Sequence, residues 1–212
     1  MSKYISKLLS ISSNSISQSE VMLPQKILKL AGDLGDELLC ILHVRNGFFA
    51  FMSALHFFPS DTVKDSIGLV EWNESSLWKN RYPNSVADAL FFAEDIFGGQ
   101  FCVRDNVICY FDPETGDIDE MASNFDSWAK KILDDYGFWT GYSLAFEWQN
   151  TRGKLSQNMR LLPTIPFVLG GSFEVNNLKA VDSIEGMRFR ASLACNLVNV
   201  SDNTRIELKV TE

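Results

Sequence analysis

The stretch from Gln100 to Phe111 limits the fold more than any other. Gln100-Phe101-Cys102-Val103-Arg104 and Val107-Ile108-Cys109-Tyr110-Phe111 are apolar runs of strand length, separated only by Asp105-Asn106. Two such runs joined by two residues that accept positive φ specify a tight antiparallel hairpin. A two-residue loop sets the register, with Arg104 opposite Val107, Val103 opposite Ile108 and Cys102 opposite Cys109. Side chains alternate by face, so Phe101, Val103, Ile108 and Tyr110 share one side and the two cysteines meet on the other. That pair reads as a cross-strand disulfide or as two small packed thiols; in a reducing compartment the thiols are expected. Next, Asp112-Pro113-Glu114-Thr115-Gly116-Asp117 has turn chemistry throughout, Asp opening, Pro fixing φ and Gly closing, which predicts a third strand over Ile118–Met121.

Around this meander the apolar spacing is mostly helical. Ser123-Asn124 caps a helix over Phe125–Tyr136, with Phe125, Trp128, Ala129, Ile132 and Leu133 on one face, and a second helical stretch follows over Thr140–Gln149, with Gly137 or Gly141 as the break. Leu34–Arg45 also has helical spacing and stops at Asn46-Gly47. Phe48–Phe51 and Ala54–Phe58 are aromatic-rich runs of strand length, and Ser66–Asn80 reads as a helix interrupted at Tyr82-Pro83. Tyr4–Ile11 is a short amphipathic stretch before Ser12-Ser13-Asn14-Ser15. From Leu161 the chain is rich in Pro and Gly. Phe189, Ala191, Leu193, Cys195 and Leu197 alternate with Arg188, Arg190, Ser192, Ala194 and Asn196, which predicts a long strand over Met187–Val200 with its even face in water. Ser201–Thr204 then turns into another strand, Ile206–Val210. The expected architecture is α+β, a central, mainly antiparallel sheet with helices against it. Residues 1–20 form an N-terminal helix and Ser-rich connection, 21–160 the core, and 161–212 a β-rich extension, either a layer on the same core or a small subdomain.

The chain of 212 residues is 46% hydrophobic with 16 Phe and 5 Trp, enough for a sizeable core and far from a disordered composition. Its apolar runs, such as Ala89–Ala93, stop well short of the ~18 residues a spanning helix needs. Met1–Lys7 and the serines that follow lack the apolar stretch of a secretory signal. Cys40, Cys102, Cys109 and Cys195 form no C-x-x-C pair, so they read as buried, reduced thiols of a cytoplasmic protein.

Charge is concentrated. The net charge is -8, and residues 61–135 carry 16 acidic and 6 basic side chains while the two flanking regions are near neutral. From Asp105 to Ala129, Asp112, Glu114, Asp117, Asp119, Glu120 and Asp126 occur without one Lys or Arg. Such a field repels phosphate backbones and attracts basic proteins, so direct nucleic-acid binding is disfavoured. Its bland alternatives are a solvated turn and a surface that maintains solubility.

Nothing in the sequence assembles a catalytic site. His43 and His56 lack the spacing of metal ligands and read as structural histidines, Gly98-Gly99 and Gly170-Gly171 lack phosphate-loop frames, and no nucleophile elbow occurs. The acidic turn misses the calcium-loop pattern. Glu94-Asp95 closes a buried apolar run and is either desolvated with shifted pKa values or engaged in capping and ion pairs. No catalytic residue, metal or cofactor is therefore expected.

Several of these segments together resemble a known family. Asn46-Gly47-Phe48-Phe49-Ala50-Phe51, Ala54-Leu55-His56-Phe57-Phe58-Pro59, the run from Phe91 to Phe101 through Glu94-Asp95-Ile96-Phe97-Gly98-Gly99, and Phe111-Asp112-Pro113-Glu114-Thr115-Gly116 are similar to the SUKH superfamily, named for fungal cell-wall-synthesis regulators and the bacterial proteins like them. Pro166-Phe167-Val168-Leu169-Gly170-Gly171 to Asn177-Leu178, with Gly186-Met187-Arg188-Phe189-Arg190, resembles the C-terminal extension of one bacterial branch. The resemblance spans about residues 35–210. It implies an α+β fold, no catalytic residues, and the role of a cytoplasmic immunity protein that neutralises a cognate toxin domain, often a nuclease, by direct binding. The acidic residues Asp112, Glu114, Asp117, Asp119, Glu120 and Asp126 are then the candidate contact set. An intracellular scaffold or regulator is the alternative, and an enzyme that reverses a toxin's modification the third reading.

Overall fold

The hairpin forms in the register its turn dictates. The computed structural model describes residues 1–82 and 86–198. In it β4 (Gln100–Arg104) pairs with β5 (Val107–Phe111), with Arg104 opposite Val107 and Cys102 opposite Cys109. Asp105 and Asn106 take φ of 51° and 62°, the left-handed values of a type I′ turn. Cys102 and Cys109 are buried free thiols, whereas Cys40 and Cys195 are exposed because they sit on the outer faces of their helices.

The hairpin is the centre of a six-stranded antiparallel meander. Its order is β1 (Phe48–Ala50), β2 (Leu55–Phe57), β3 (Leu90–Asp95), β4, β5 and β6 (Ile118–Ala122), which leaves β1 and β6 as edges. Every residue of β3 is buried, so its apolar run covers both faces of the sheet. On one face Phe57, Phe92 and Phe101 meet Phe125 and Trp128 of α5 (Phe125–Asp134). On the other, Trp72 packs on Trp78, whose ring meets Phe91 edge-on and Phe111 at a tilt, with Tyr82 edge-on to Phe111. The capping box of α5 is closed, Ser127 N donating to Asn124 Oδ1 at 2.8 Å and Asn124 N to Ser127 Oγ at 3.2 Å. Helix α1 (Lys3–Ser10) packs on α5, and α2 (Gln25–Ala31) leads into α3 (Gly35–Val44).

Two segments depart from the sequence pattern. Of the helix expected over Ser66–Asn80, only α4 (Leu69–Trp72) and one 3-10 turn (Lys79–Arg81) form. The Asn73 side chain ends α4 by bonding Leu69 O at 2.9 Å and both backbone groups of Phe91, at 2.8 and 2.9 Å, which pins the chain to β3. Pro83 lies outside the described residues. The helical stretch after α5 breaks at Gly141, one of the two glycines expected to interrupt it, with φ 68°, which gives α6 (Tyr136–Thr140) and α7 (Tyr142–Arg152). The larger departure is Met187–Val200, read as a strand: Ser183–Leu197 is helix α8. Met187, Arg190, Ala191 and Ala194 are buried at helical spacing, while Phe189 and Cys195, placed inward by the alternating pattern, face water. Asp182 nucleates α8 by accepting the N–H groups of Ile184 and Glu185 at 3.0 and 3.3 Å. The β structure of this region is a separate two-stranded antiparallel sheet, β7 (Met159–Pro163) and β8 (Leu178–Asp182). The turn at Ser201–Thr204 and the strand Ile206–Val210 lie outside the described residues. The architecture is α+β, and no helix among the described residues is long and apolar enough to cross a membrane.

Candidate functional site

The turn after β5, the edge strand β6, the α6–α7 junction, the 3-10 turn Phe167–Leu169 and α8 surround a cleft of about 820 Å³. Local chemistry builds its acidic side. Asp112 accepts Glu114 N at 2.8 Å through its side chain and Gly116 N at 2.8 Å through its carbonyl, which closes the turn the sequence announced. Glu114 is folded inward, only 5% exposed, and its Oε2 accepts Val168 N at 2.8 Å, fastening the C-terminal segment to the meander. Burial raises the pKa values of both carboxyls, against the bonds they accept and the charge of Arg190. Asp119 and Glu120 extend the acidic lining along β6, where both are exposed.

The deepest charged groups of the cleft are Asp95 and Arg190, 4% and 2% exposed. Asp95 Oδ1 accepts the N–H groups of Phe97 and Gly99 at 2.7 and 2.9 Å, and Oδ2 accepts the Tyr110 hydroxyl at 2.8 Å. Burial pushes its carboxyl up to about 7 in spite of those three donors. A Cβ at Gly99 would lie 1.9 Å from the Tyr110 oxygen, so glycine is what lets this arrangement close. Arg190 donates to Phe97 O, and its charge faces Glu114 and Asp95. The alternating pattern had put Arg190 in water; the helix turns it inward instead.

Aromatic rings complete the cleft. Phe167 and Phe173 stack with centroids 4.0 Å apart, and Phe97 meets Phe167 edge-on at 5.3 Å. Trp139 lies edge-on to Tyr110 at 6.1 Å and to Phe138 at 4.9 Å. Phe138 and Phe173 are 74% and 64% exposed, unusual for rings of that size. Of the acidic residues singled out from the sequence, Asp112, Glu114, Asp119 and Glu120 line the cleft, and Asp117 lies exposed in the adjoining turn. Asp126 belongs elsewhere: its Oδ1 accepts Tyr4 N and Ile5 N at 2.6 and 3.1 Å, capping α1. The rings and Arg190 were missed because they come from distant segments; the one local sign was Phe138-Trp139 beside Gly137.

Glu94 and His56 form a second buried cluster. Glu94 Oε1 lies 3.0 Å from His56 Nδ1 and 2.7 Å from Arg160 Nη2, the latter out of hydrogen-bond alignment and therefore an ionic contact. His56 Nε2 lies 3.1 Å from Ser66 Oγ, and Gln100 Nε2 donates to Glu94 Oε2 at 3.3 Å. Burial lowers the His56 pKa to about 4, so the ring is neutral; with the proton on Nδ1 it donates to Glu94 and accepts from Ser66. Burial alone would raise Glu94, but the Arg160 charge and the His56 bond outweigh it and hold the carboxyl below its ordinary value. The Ser–His–Glu connectivity is that of a hydrolase triad, yet Ser66 is 3% exposed and none of the three lines the cleft. The cluster is a strut joining β2, β3 and β7. His43 is exposed near the end of α3, its Nδ1 2.7 Å from Leu39 O. No group of three or more His, Cys, Asp or Glu among the described residues is arranged to hold a metal ion.

No family model and no curated protein matches the chain. The crystal structure of Atu4351 from Agrobacterium tumefaciens is similar to it, with 12% identity over 86% of each chain and a TM-score of 0.59. At that identity the likeness is one of fold.

Proposed function

We propose that the protein is a cytoplasmic immunity protein that neutralises a cognate toxin domain by binding it, with the cleft in the contact surface. The observation that carries this reading is the combination lining the cleft: five carboxylates, one guanidinium, and rings left in solvent at Phe138 and Phe173. Exposed aromatic side chains supply affinity when a partner desolvates them, and a one-signed acidic surface speeds encounter with a basic partner. A nucleic-acid-cleaving domain is basic because its substrate is a polyanion, so it is the class of toxin that fits best. The resemblance of the sequence to the SUKH superfamily points the same way.

The test is co-expression with the product of the neighbouring gene, scored for growth and for complex formation. Rescue of growth, together with a stoichiometric complex on gel filtration, is the expected result. Continued toxicity with no complex overturns the reading and leaves a scaffold or regulator as the better description.

A further inference from the structure

We propose that the cleft receives a lysine or arginine side chain of the partner, its cationic head among the carboxylates and its stem along the rings. The inference rests on the binding role above and names the chemistry of the contact. Charge balance argues for it first. Asp95, Asp112, Glu114, Asp119 and Glu120 line the cleft with Arg190 as their one cation. Arg190 is spent on the Phe97 carbonyl and faces Glu114 and Asp95, which leaves negative charge uncompensated in a partly desolvated space. Burial displaces the Asp112 and Glu114 carboxyls upward even with Arg190 beside them, so a further counter-charge would favour their ionised forms. An incoming ammonium or guanidinium supplies it, whereas an anion would meet five carboxylates.

The walls narrow the choice of cation. No group of three or more ligating side chains is arranged for a metal among the described residues, so an organic cation fits better. Phe97, Phe167, Phe173 and Trp139 offer ring faces and edges to a methylene stem and to a charged head. The volume of about 820 Å³ exceeds one side chain, so part of the segment that bears it enters too. Phe138 and Phe173, 74% and 64% exposed at the same cleft, need a surface larger than a free metabolite to cover them. That favours a side chain presented by a protein over a diffusible amine.

The experiment titrates the whole protein, without a toxin, against a blocked pentapeptide carrying one central arginine between leucines. Its lysine and citrulline counterparts and free arginine amide are titrated alongside, all followed by amide NMR shifts. The expected result is saturable shifts at residues 137–141 and 167–168 with the arginine or lysine peptide. Binding should fall about tenfold or more with citrulline, and to a similar degree in Asp119→Asn/Glu120→Gln, as loss of a charge-assisted contact implies. Glu147→Gln, an exposed carboxylate outside the cleft, should change nothing. Asp112→Asn, which keeps the oxygen that accepts Glu114 N, serves as a second variant and should also weaken binding. Equal binding of the citrulline peptide, shifts elsewhere, or no shifts at millimolar peptide would overturn the proposal. Free arginine amide binding as tightly as the peptide would overturn the protein-borne source and point to a small cation. Because no toxin is present, peptide binding without growth rescue would sink the immunity role alone. Rescue without peptide binding would sink this inference alone.

Discussion

His56 and Asp95 are both buried, on the neighbouring strands β2 and β3, yet they load the fold with opposite pH dependences. His56 has its pKa lowered from 6.5 to about 4, so the unfolded chain binds the extra proton between those values and stability falls as pH drops from about 6.5 to about 4. Asp95, raised from 3.8 to about 7, binds its proton more tightly when folded, so its contribution is lost as pH rises through about 7. The two partly cancel in wild-type protein, and substitution separates them. In His56→Gln, which keeps polar atoms toward Glu94 and Ser66, the acid-side penalty should vanish. Relative to the variant, wild type should lose about 3 kcal/mol between pH 7 and pH 4 in urea unfolding, from 1.36 kcal/mol per pKa unit for a buried group. Parallel curves for the two proteins would show that His56 does not carry the penalty. The sequence announced part of this residue-scale chemistry: Glu94-Asp95 after an apolar run marked desolvated carboxylates. It did not show which took an ion pair and which a cap, because Arg160 and Tyr110 reach them from separate strands.

At the scale of elements, legibility followed how local the deciding interactions are. The β4–β5 hairpin and α5 were readable because a two-residue turn and a capping box lie within a few residues of what they control. Asn124→Ala removes the side-chain half of that box and should cost about 1 kcal/mol, measured by thermal unfolding. Helix α8 was misread because Phe189, Ala191, Leu193, Cys195 and Leu197 satisfy an alternating pattern while Met187, Ala191 and Ala194 satisfy a helical one. The helical set is the one buried, with Asp182 capping the helix locally and Arg190 turned inward to bond Phe97 O across 93 residues of chain. The α6–α7 break falls at Gly141, one of the two glycines the sequence offered, and tertiary contacts choose between them. Gly141 has φ 68°, and a Cβ there would lie 2.4 Å from Phe97 Cε2 and 2.7 Å from Ile96 Cγ2. Gly141→Ala should therefore destabilise by on the order of 2 kcal/mol, combining left-handed strain with overpacking, and should displace Phe97 from the cleft. Unchanged stability would mean that the junction rearranges freely, and the cleft wall with it.

Across the whole molecule, the acidic centre of the sequence becomes a surface that is partly structural and partly free. Asp112, Glu114 and Asp126 hold backbone groups, so of the six acidic residues only Asp117, Asp119 and Glu120 are exposed with side chains that hold none. Two explanations compete for them. Charges on an edge strand such as β6 block pairing with another sheet, and they also attract a basic partner. Reversal to Lys at all three positions separates these, because lysine protects an edge as well as a carboxylate does but inverts the field. If protection is their whole role, the Asp117→Lys/Asp119→Lys/Glu120→Lys protein stays monodisperse and binds a basic toxin domain at the wild-type rate. If they steer encounter, stopped-flow association at low salt slows by about tenfold or more, and its dependence on ionic strength flattens. The two proteins should then converge near 1 M salt, where the screening length shrinks to about 3 Å. Folding is unaffected in either case, since none of the three side chains supports a buried group, so a slowed association is read directly as lost attraction.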